Sequence, residues 1–186
     1  MKLVPNSGTD RVIDLVRPHL KPDSQMGCVT PSFSLFAFAE LRDALAKLER
    51  VELILPKGDD ALEFLGGGGD RANRNQQQAR WRANQCADWL TSKVDLRRVN
   101  GRVPQGTVVM RDAQGTAEQV VMGSFAFSTD GLGLTPGNPL NLIQASESGA
   151  EAAQLAQWFD HQWNGLRTQP ESRDALIAAL RQMGAH

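Results

Sequence analysis

Tyrosine is absent from this chain, cysteine occurs twice and histidine three times. Two thiols, Cys28 and Cys86, cannot build a disulfide framework, and no Cys/His cluster has the spacing of a metal centre. Cys28 falls in an apolar, strand-like run and Cys86 on a helix beside Trp89, so both read as core thiols. No apolar run approaches the roughly 18 residues of a membrane span, and Lys2 followed by Leu3-Val4-Pro5 is no signal-peptide core. These absences lead to the expectation of a cytoplasmic protein with no membrane contact, metal or cofactor.

With 186 residues, 41% of them hydrophobic, the chain is long enough for one well-packed domain over 1–186 and too short for two. Its net charge of -1 conceals an asymmetry. Between Arg71 and Arg111 there are nine basic residues against two acidic ones, so this segment is +7 and the remainder is -8. A basic segment in an acidic whole points to a polyanionic partner.

Taken in order, Asp10 to Leu20 has a helical apolar face that Pro18 should fray. Met26 to Thr30 is a short buried strand, Leu35 to Leu48 an amphipathic helix and Val51 to Leu55 a second strand, which predicts a βαβ unit with a parallel pair. Four consecutive glycines, Gly66 to Gly69, lack the Lys-Ser/Thr of a phosphate-binding loop, so 66–70 reads as a flexible Gly-rich loop. Residues 71–92 form a polar helix, with Trp81, Cys86, Trp89 and Leu90 expected on its apolar side and arginines and glutamines outward. Val94 to Val99 alternates apolar and charged residues, as a half-buried strand does. Thr107 to Arg111 and Gln119 to Met122 flank a polar loop and predict a β-hairpin near the centre of the fold. Leu140 to Ser146 is the last strand, and helices follow over Gly149 to Asn164 and Glu171 to Met183. The expected class is α/β, with a mixed, mostly parallel central sheet flanked by helices.

The hairpin resembles the phospholipase D superfamily, whose signature is His-x-Lys-x4-Asp followed by Gly-Ser-x-Asn. With the aspartate on Asp112, the histidine position falls on Gln105, the lysine position on Thr107 and the Gly-Ser on Gly123-Ser124; Ala126 takes the asparagine position. Further matches run in order from Gln25 to about Gly184: Ser32-Phe-Ser-Leu-Phe, Val51-Glu-Leu-Ile-Leu, Thr129-Asp-Gly-Leu and Trp158-Phe-Asp-His-Gln-Trp163. They are similar to phospholipase D-like domains at the N-termini of bacterial superfamily 2 helicases in restriction and phage-defence systems.

What the resemblance implies is a scaffold without its chemistry. The family's histidine attacks phosphorus while its lysine and asparagine stabilise the developing negative charge. Glutamine is a poor nucleophile and threonine carries no charge, so catalysis of the family type is not expected, and Ile143 replaces the glutamate usual after Asn-Leu. Only His19-Leu-Lys21 has the His-x-Lys spacing, but Met26 stands where its aspartate should be, and His19 reads as a surface residue at a helix end. Asp112 is free to cap the hairpin turn, and Gly123-Ser124 to permit close backbone packing.

Three functions compete. The first is a degenerate domain that binds a DNA or RNA backbone through Arg71, Arg74, Arg80, Arg82, Arg97, Arg98 and Arg102, as a module beside a helicase or ATPase; solvated faces are the plain alternative for these residues. In the second, the surface around Gln105, Thr107 and Ser124 pairs two copies into a homodimer. The third, a phosphodiesterase that uses other residues or an intact partner chain, has least support, since no histidine lies near Asp112 or Ser124 in sequence.

Overall fold

A computed structural model of the chain describes residues 1–58 and 76–185, with side chains from residue 78 in the second part. The expected glycine loop at 66–70, together with Arg71 and Arg74, lies outside the described residues.

Among the described residues seven strands form one sheet: β1 (Lys2–Leu3), β2 (Gln25–Val29), β3 (Arg50–Pro56), β4 (Val94–Val99), β5 (Gly106–Arg111), β6 (Ala117–Gly123) and β7 (Ile143–Ala145). Their spatial order is β1-β7-β6-β5-β2-β3-β4, which puts the first strand of the expected hairpin in the middle. The helices are α1 (Val12–Val16), α2 (Leu35–Leu45), α3 (Gln76–Lys93), α4 (Gly149–Asn164) and α5 (Pro170–Ala185).

The architecture is α/β with a mixed sheet, but antiparallel pairing dominates where parallel pairing was expected. Only β2–β3 and β3–β4 run parallel; β1–β7, β7–β6, β6–β5 and β5–β2 are antiparallel. The cause is connection length. A parallel pair needs a crossover of a dozen residues or so. Helix α2 supplies one between β2 and β3, and α3 lies in the other, between β3 and β4. After β4 the chain turns too tightly for another, and β5 folds back against β2 with Gln25 opposite Arg111 and Val29 opposite Thr107.

Strand alternation sorts the apolar residues into two layers. Met26, Cys28, Val51, Leu53, Leu55, Val108, Met110 and Val121 face α1, α2, α3 and α5. Val29, Ile54, Val109 and Val120 face α4 through Ala152, Ala156, Phe159 and Trp163. Phe159 crosses the sheet over Gly27, where an added Cβ would come within 2.8 Å of its ring.

Several ends differ from the sequence pattern for local reasons. Pro18 cannot donate a backbone hydrogen bond, so the first helix tightens into a 3-10 turn over Arg17–His19 instead of running to Leu20. Strand β7 begins only at Ile143, because Asn138 folds the preceding residues into a turn by accepting from the Leu140 N–H at 2.9 Å. Trp81 departs most: it is 55% exposed, lying off the buried stripe of Ala83, Cys86, Ala87 and Leu90.

Candidate nucleic-acid interface

The four signature positions fall at opposite ends of one hairpin. Gly106 pairs with Gly123 and Thr107 with Met122, so Gln105 and Ser124 stand close together at one edge of the sheet. Asp112 follows the far end of β5, about 23 Å along the strand from Gln105 at strand rise.

At that far end Asp112 does what the turn requires. Its Oδ1 accepts the Gln114 and Thr116 N–H groups, each at 2.9 Å, and its own N–H donates to the Thr116 carbonyl at 3.0 Å. Ser124 has a matching structural role: its hydroxyl accepts the Leu142 N–H at 2.8 Å and donates to the Leu142 carbonyl at 3.3 Å. Thr107 is buried on the α4 side of the sheet, and its Oγ1 has no hydrogen-bond partner. Gln105 alone of the four is both exposed and without a described polar contact.

The Ser32-Phe-Ser-Leu stretch buttresses this edge. Thr30 Oγ1 donates to the Ser32 carbonyl at 2.6 Å and accepts the Phe127 N–H at 2.8 Å. The Phe33 and Phe127 rings stack at 4.7 Å, and Ser34 Oγ caps α2 by accepting the Ala37 N–H at 3.2 Å.

Several of the expected arginines are engaged within the fold. Arg97 donates to the Trp163 carbonyl at 2.6 Å and the Leu166 carbonyl at 3.1 Å, and its guanidinium lies 4.1 Å from the Trp163 ring centroid. It is three strands from Thr107, about 14 Å at sheet spacing. Arg98 donates to the carbonyls of Pro56 and Gly58, and its partial burial draws the guanidinium pKa below the ordinary arginine value. Arg82 covers the Phe36 ring at 5.4 Å, and Arg111 is bound to Asp160 at 2.8 Å. Arg80 and Arg102 are exposed and make no hydrogen bond or ion pair with a described residue.

What the fold gathers, and the linear sequence hides, is a basic rim at the carboxyl ends of β2, β3 and β4. The Lys57 N–H donates to the Val99 carbonyl at 2.7 Å, and Gln169 Nε2 to the Arg98 carbonyl at 2.9 Å. These bonds bring the segments of Lys57, Arg98, Arg102 and Arg167 to the same edge as Gln105. Lys57 and Arg167 lie outside the segment singled out by charge counting; the strand register relates Lys57 to it, and the Gln169 hydrogen bond relates Arg167.

The same edge carries uncovered apolar side chains: Leu140 is 88%, Leu3 65% and Leu142 60% exposed. Leu142 is the residue bonded to Ser124. A cleft of about 340 Å3 opens between residues 5–11 and 133–139, and its one charged wall residue, Arg11, is already bound to Asp14 and to the Gly133 carbonyl.

Groups suited to covalent or metal chemistry stand elsewhere. Burial pushes the Cys28 thiol up to about 12 and raises that of Cys86 as well. His19 Nδ1 lies 3.7 Å from Glu118, toward the hairpin-turn end of the sheet and away from Gln105, and His161 is exposed on α4. Among the described residues no group of three or more His, Cys, Asp or Glu is placed to hold a metal ion. No protein-family model matches the chain, and no curated protein matches it.

Proposed function

We propose that this chain is a catalytically degenerate phospholipase D-like domain that holds a nucleic-acid backbone without cutting it, as a module of a larger DNA-processing or defence assembly containing a helicase or ATPase. The observation that carries this reading is the rim of Lys57, Arg98, Arg102 and Arg167 on the same edge of the sheet as Gln105. Guanidinium and ammonium groups at the carboxyl edge of parallel strands suit phosphate oxygens. At Gln105 and Thr107 there is an amide and a buried hydroxyl, so a bound phosphodiester meets neither nucleophile nor cation there.

The test is a titration of a labelled duplex and a labelled single strand at two salt concentrations, with the DNA then run on a denaturing gel. The expected outcome is binding that weakens steeply with salt, by a slope near -0.9 per phosphate contact on duplex, and strands that stay intact. Absence of binding at low salt overturns the reading, and cut strands overturn the inactivity of Gln105 and Thr107.

Leu140, Leu142 and Leu3 favour a second reading, in which the edge beside Ser124 pairs two copies about a two-fold axis. Light scattering at rising concentration tests it. A monomer throughout counts against pairing, whereas a dimer that Leu142→Asp converts to monomer supports it.

A further inference from the structure

Asparagine followed by glycine occurs twice in the chain, at Asn100-Gly101 and Asn164-Gly165. The pair has a chemistry of its own. With no Cβ on the second residue, the glycine nitrogen can swing onto the asparagine side-chain carbonyl and close a five-membered ring. Whether it does so depends on how the backbone is held, and the fold holds the two pairs in opposite ways.

Asn164 is the last residue of α4 and Gly165 its cap. Gly165 has helical φ -75 and ψ -11, and its N–H donates to the His161 carbonyl at 3.2 Å. The nitrogen is therefore engaged, and helical dihedrals at Asn164 keep it out of line with the side-chain carbonyl.

Asn100 and Gly101 follow the end of β4, in the bend that leads toward β5. Among the described residues the Asn100 side chain has no hydrogen-bond partner and the Gly101 N–H has no acceptor. Gly101 has φ +81, and a Cβ built on it would meet nothing within 4 Å, so the space that a ring needs is open. Exposure does not separate the two pairs, since Asn100 and Asn164 are both exposed. The state of the glycine nitrogen does. Arg98 and Arg102 also flank Asn100 at two residues to either side, and the ring closes through an anionic nitrogen and an oxyanion, which cations stabilise.

We propose that Asn100 is a self-modifying site, which loses its amide to Gly101 and so places a carboxylate in the basic rim. The Gly101 nitrogen gives its proton to hydroxide and attacks Cγ of Asn100. The N–Cγ bond forms, the Cγ–Nδ2 bond breaks, and Nδ2 takes a proton from water and leaves as ammonia. Water then opens the succinimide ring at either carbonyl, leaving aspartate or its β-linked isomer. Nothing is oxidised or reduced, and both products carry a negative charge that asparagine lacks. The modification stands on the geometry of the bend; its effect on binding rests on the nucleic-acid reading above. There the new carboxylate repels the phosphates that Arg98 and Arg102 attract.

In the experiment the full chain is warmed at mildly alkaline pH and its chymotryptic fragments are weighed at intervals. The fragment holding Asn100 is expected to convert to the acid form while the fragment holding Asn164 keeps its amide, and Asn100→Gln should abolish the conversion. Retention of the Asn100 amide, or equal conversion at both pairs in the folded chain, overturns the proposal. Duplex binding is then compared for the full chain and Asn100→Asp, with equal urea midpoints as the check on folding. Asn100→Asp is expected to bind about five-fold more weakly at low salt, with a salt slope shallower by about one unit. Equal binding by the two overturns the proposed effect on the rim while the backbone reading stands. If neither binds, the backbone reading falls, and the masses alone decide whether Asn100 is the modification site.

Discussion

The guanidinium of Arg97 lies over the Trp163 ring, 4.1 Å from its centroid, while its Nη1 donates to the carbonyl of that same residue at 2.6 Å. One side chain thus ties the edge strand β4 to the carboxyl end of α4, where the helix dipole favours a cation.

Arg97→Ala should therefore act on stability. Losing a charged donor to two carbonyls and a cation–π contact costs about 2–4 kcal/mol, which a lowered urea midpoint would report. Nucleic-acid affinity measured below the unfolding range should stay within about two-fold. If affinity falls while the urea midpoint holds, Arg97 reaches phosphate after all.

Gly123 and Ser124 make the edge next to Gln105 possible. Gly123 has φ +152, and a Cβ on it would come within 2.2 Å of the Leu142 carbonyl oxygen. Gly123→Ala should cost at least about 2 kcal/mol, since backbone must move on both strands. Ser124→Ala removes a hydroxyl bonded twice to Leu142 and should cost about 1 kcal/mol. Thermal unfolding of both variants would give that order; the reverse order would mean that the serine has a role beyond pairing.

Patterns with a local physical origin were legible in the sequence. The apolar runs of β5 and β6, the alternation of β4, the Asp112 turn and the four-residue spacing of α2 and α4 each need only neighbouring residues to be read. Strand direction did not follow from such patterns, because it depends on which connections are long enough to cross over. Nor did the partners of Arg97, whose carbonyl acceptors lie 66 and 69 residues away. A charge count cannot separate an arginine bound to backbone from one left to solvent, so Arg97 and Arg102 looked equivalent. Trp81 was hidden by residue type: a large aromatic on a helix suggests core, and here the stripe of small residues around Cys86 takes that place.

Thr107 offers a test that needs no binding partner. Its hydroxyl is buried without a partner, between Val29 and Met122 in the pairing of β5 with its neighbours. Thr107→Val keeps the shape and removes the orphan, so it should raise stability by about 1 kcal/mol in denaturant unfolding. A loss of stability would reveal a hydrogen bond to this hydroxyl in solution.

Glu52 carries a pH dependence of definite sign. Burial in β3 raises its carboxyl above the ordinary 4.5, Asp160 and Asp95 push the same way, and Arg50 and Arg111 oppose them. The folded state thus holds the proton more tightly than the unfolded one. The stability linked to this group is fully present below the unfolded value and is lost as pH rises through the folded one. Glu52→Gln should raise the melting temperature at pH 7 by more than at pH 4; a gain independent of pH would show that the carboxyl is not strained by burial.

The basic rim makes the sharpest demand on the binding experiment, because its members differ in how free they are. Arg98 is held by two carbonyls, so replacing it disturbs the Lys57 segment as well as charge. Lys57 and Arg102 are exposed and make no described ion pair, so charge reversal there should leave the unfolding midpoint where it is. Each of Lys57→Glu and Arg102→Glu should weaken binding to all sequences alike and make the salt dependence shallower by about one unit of slope. The double variant should add the two effects, as independent phosphate contacts do. Were either reversal to change preference among sequences instead, the rim would be reading base edges, and a backbone-only role for this face of the sheet would be wrong.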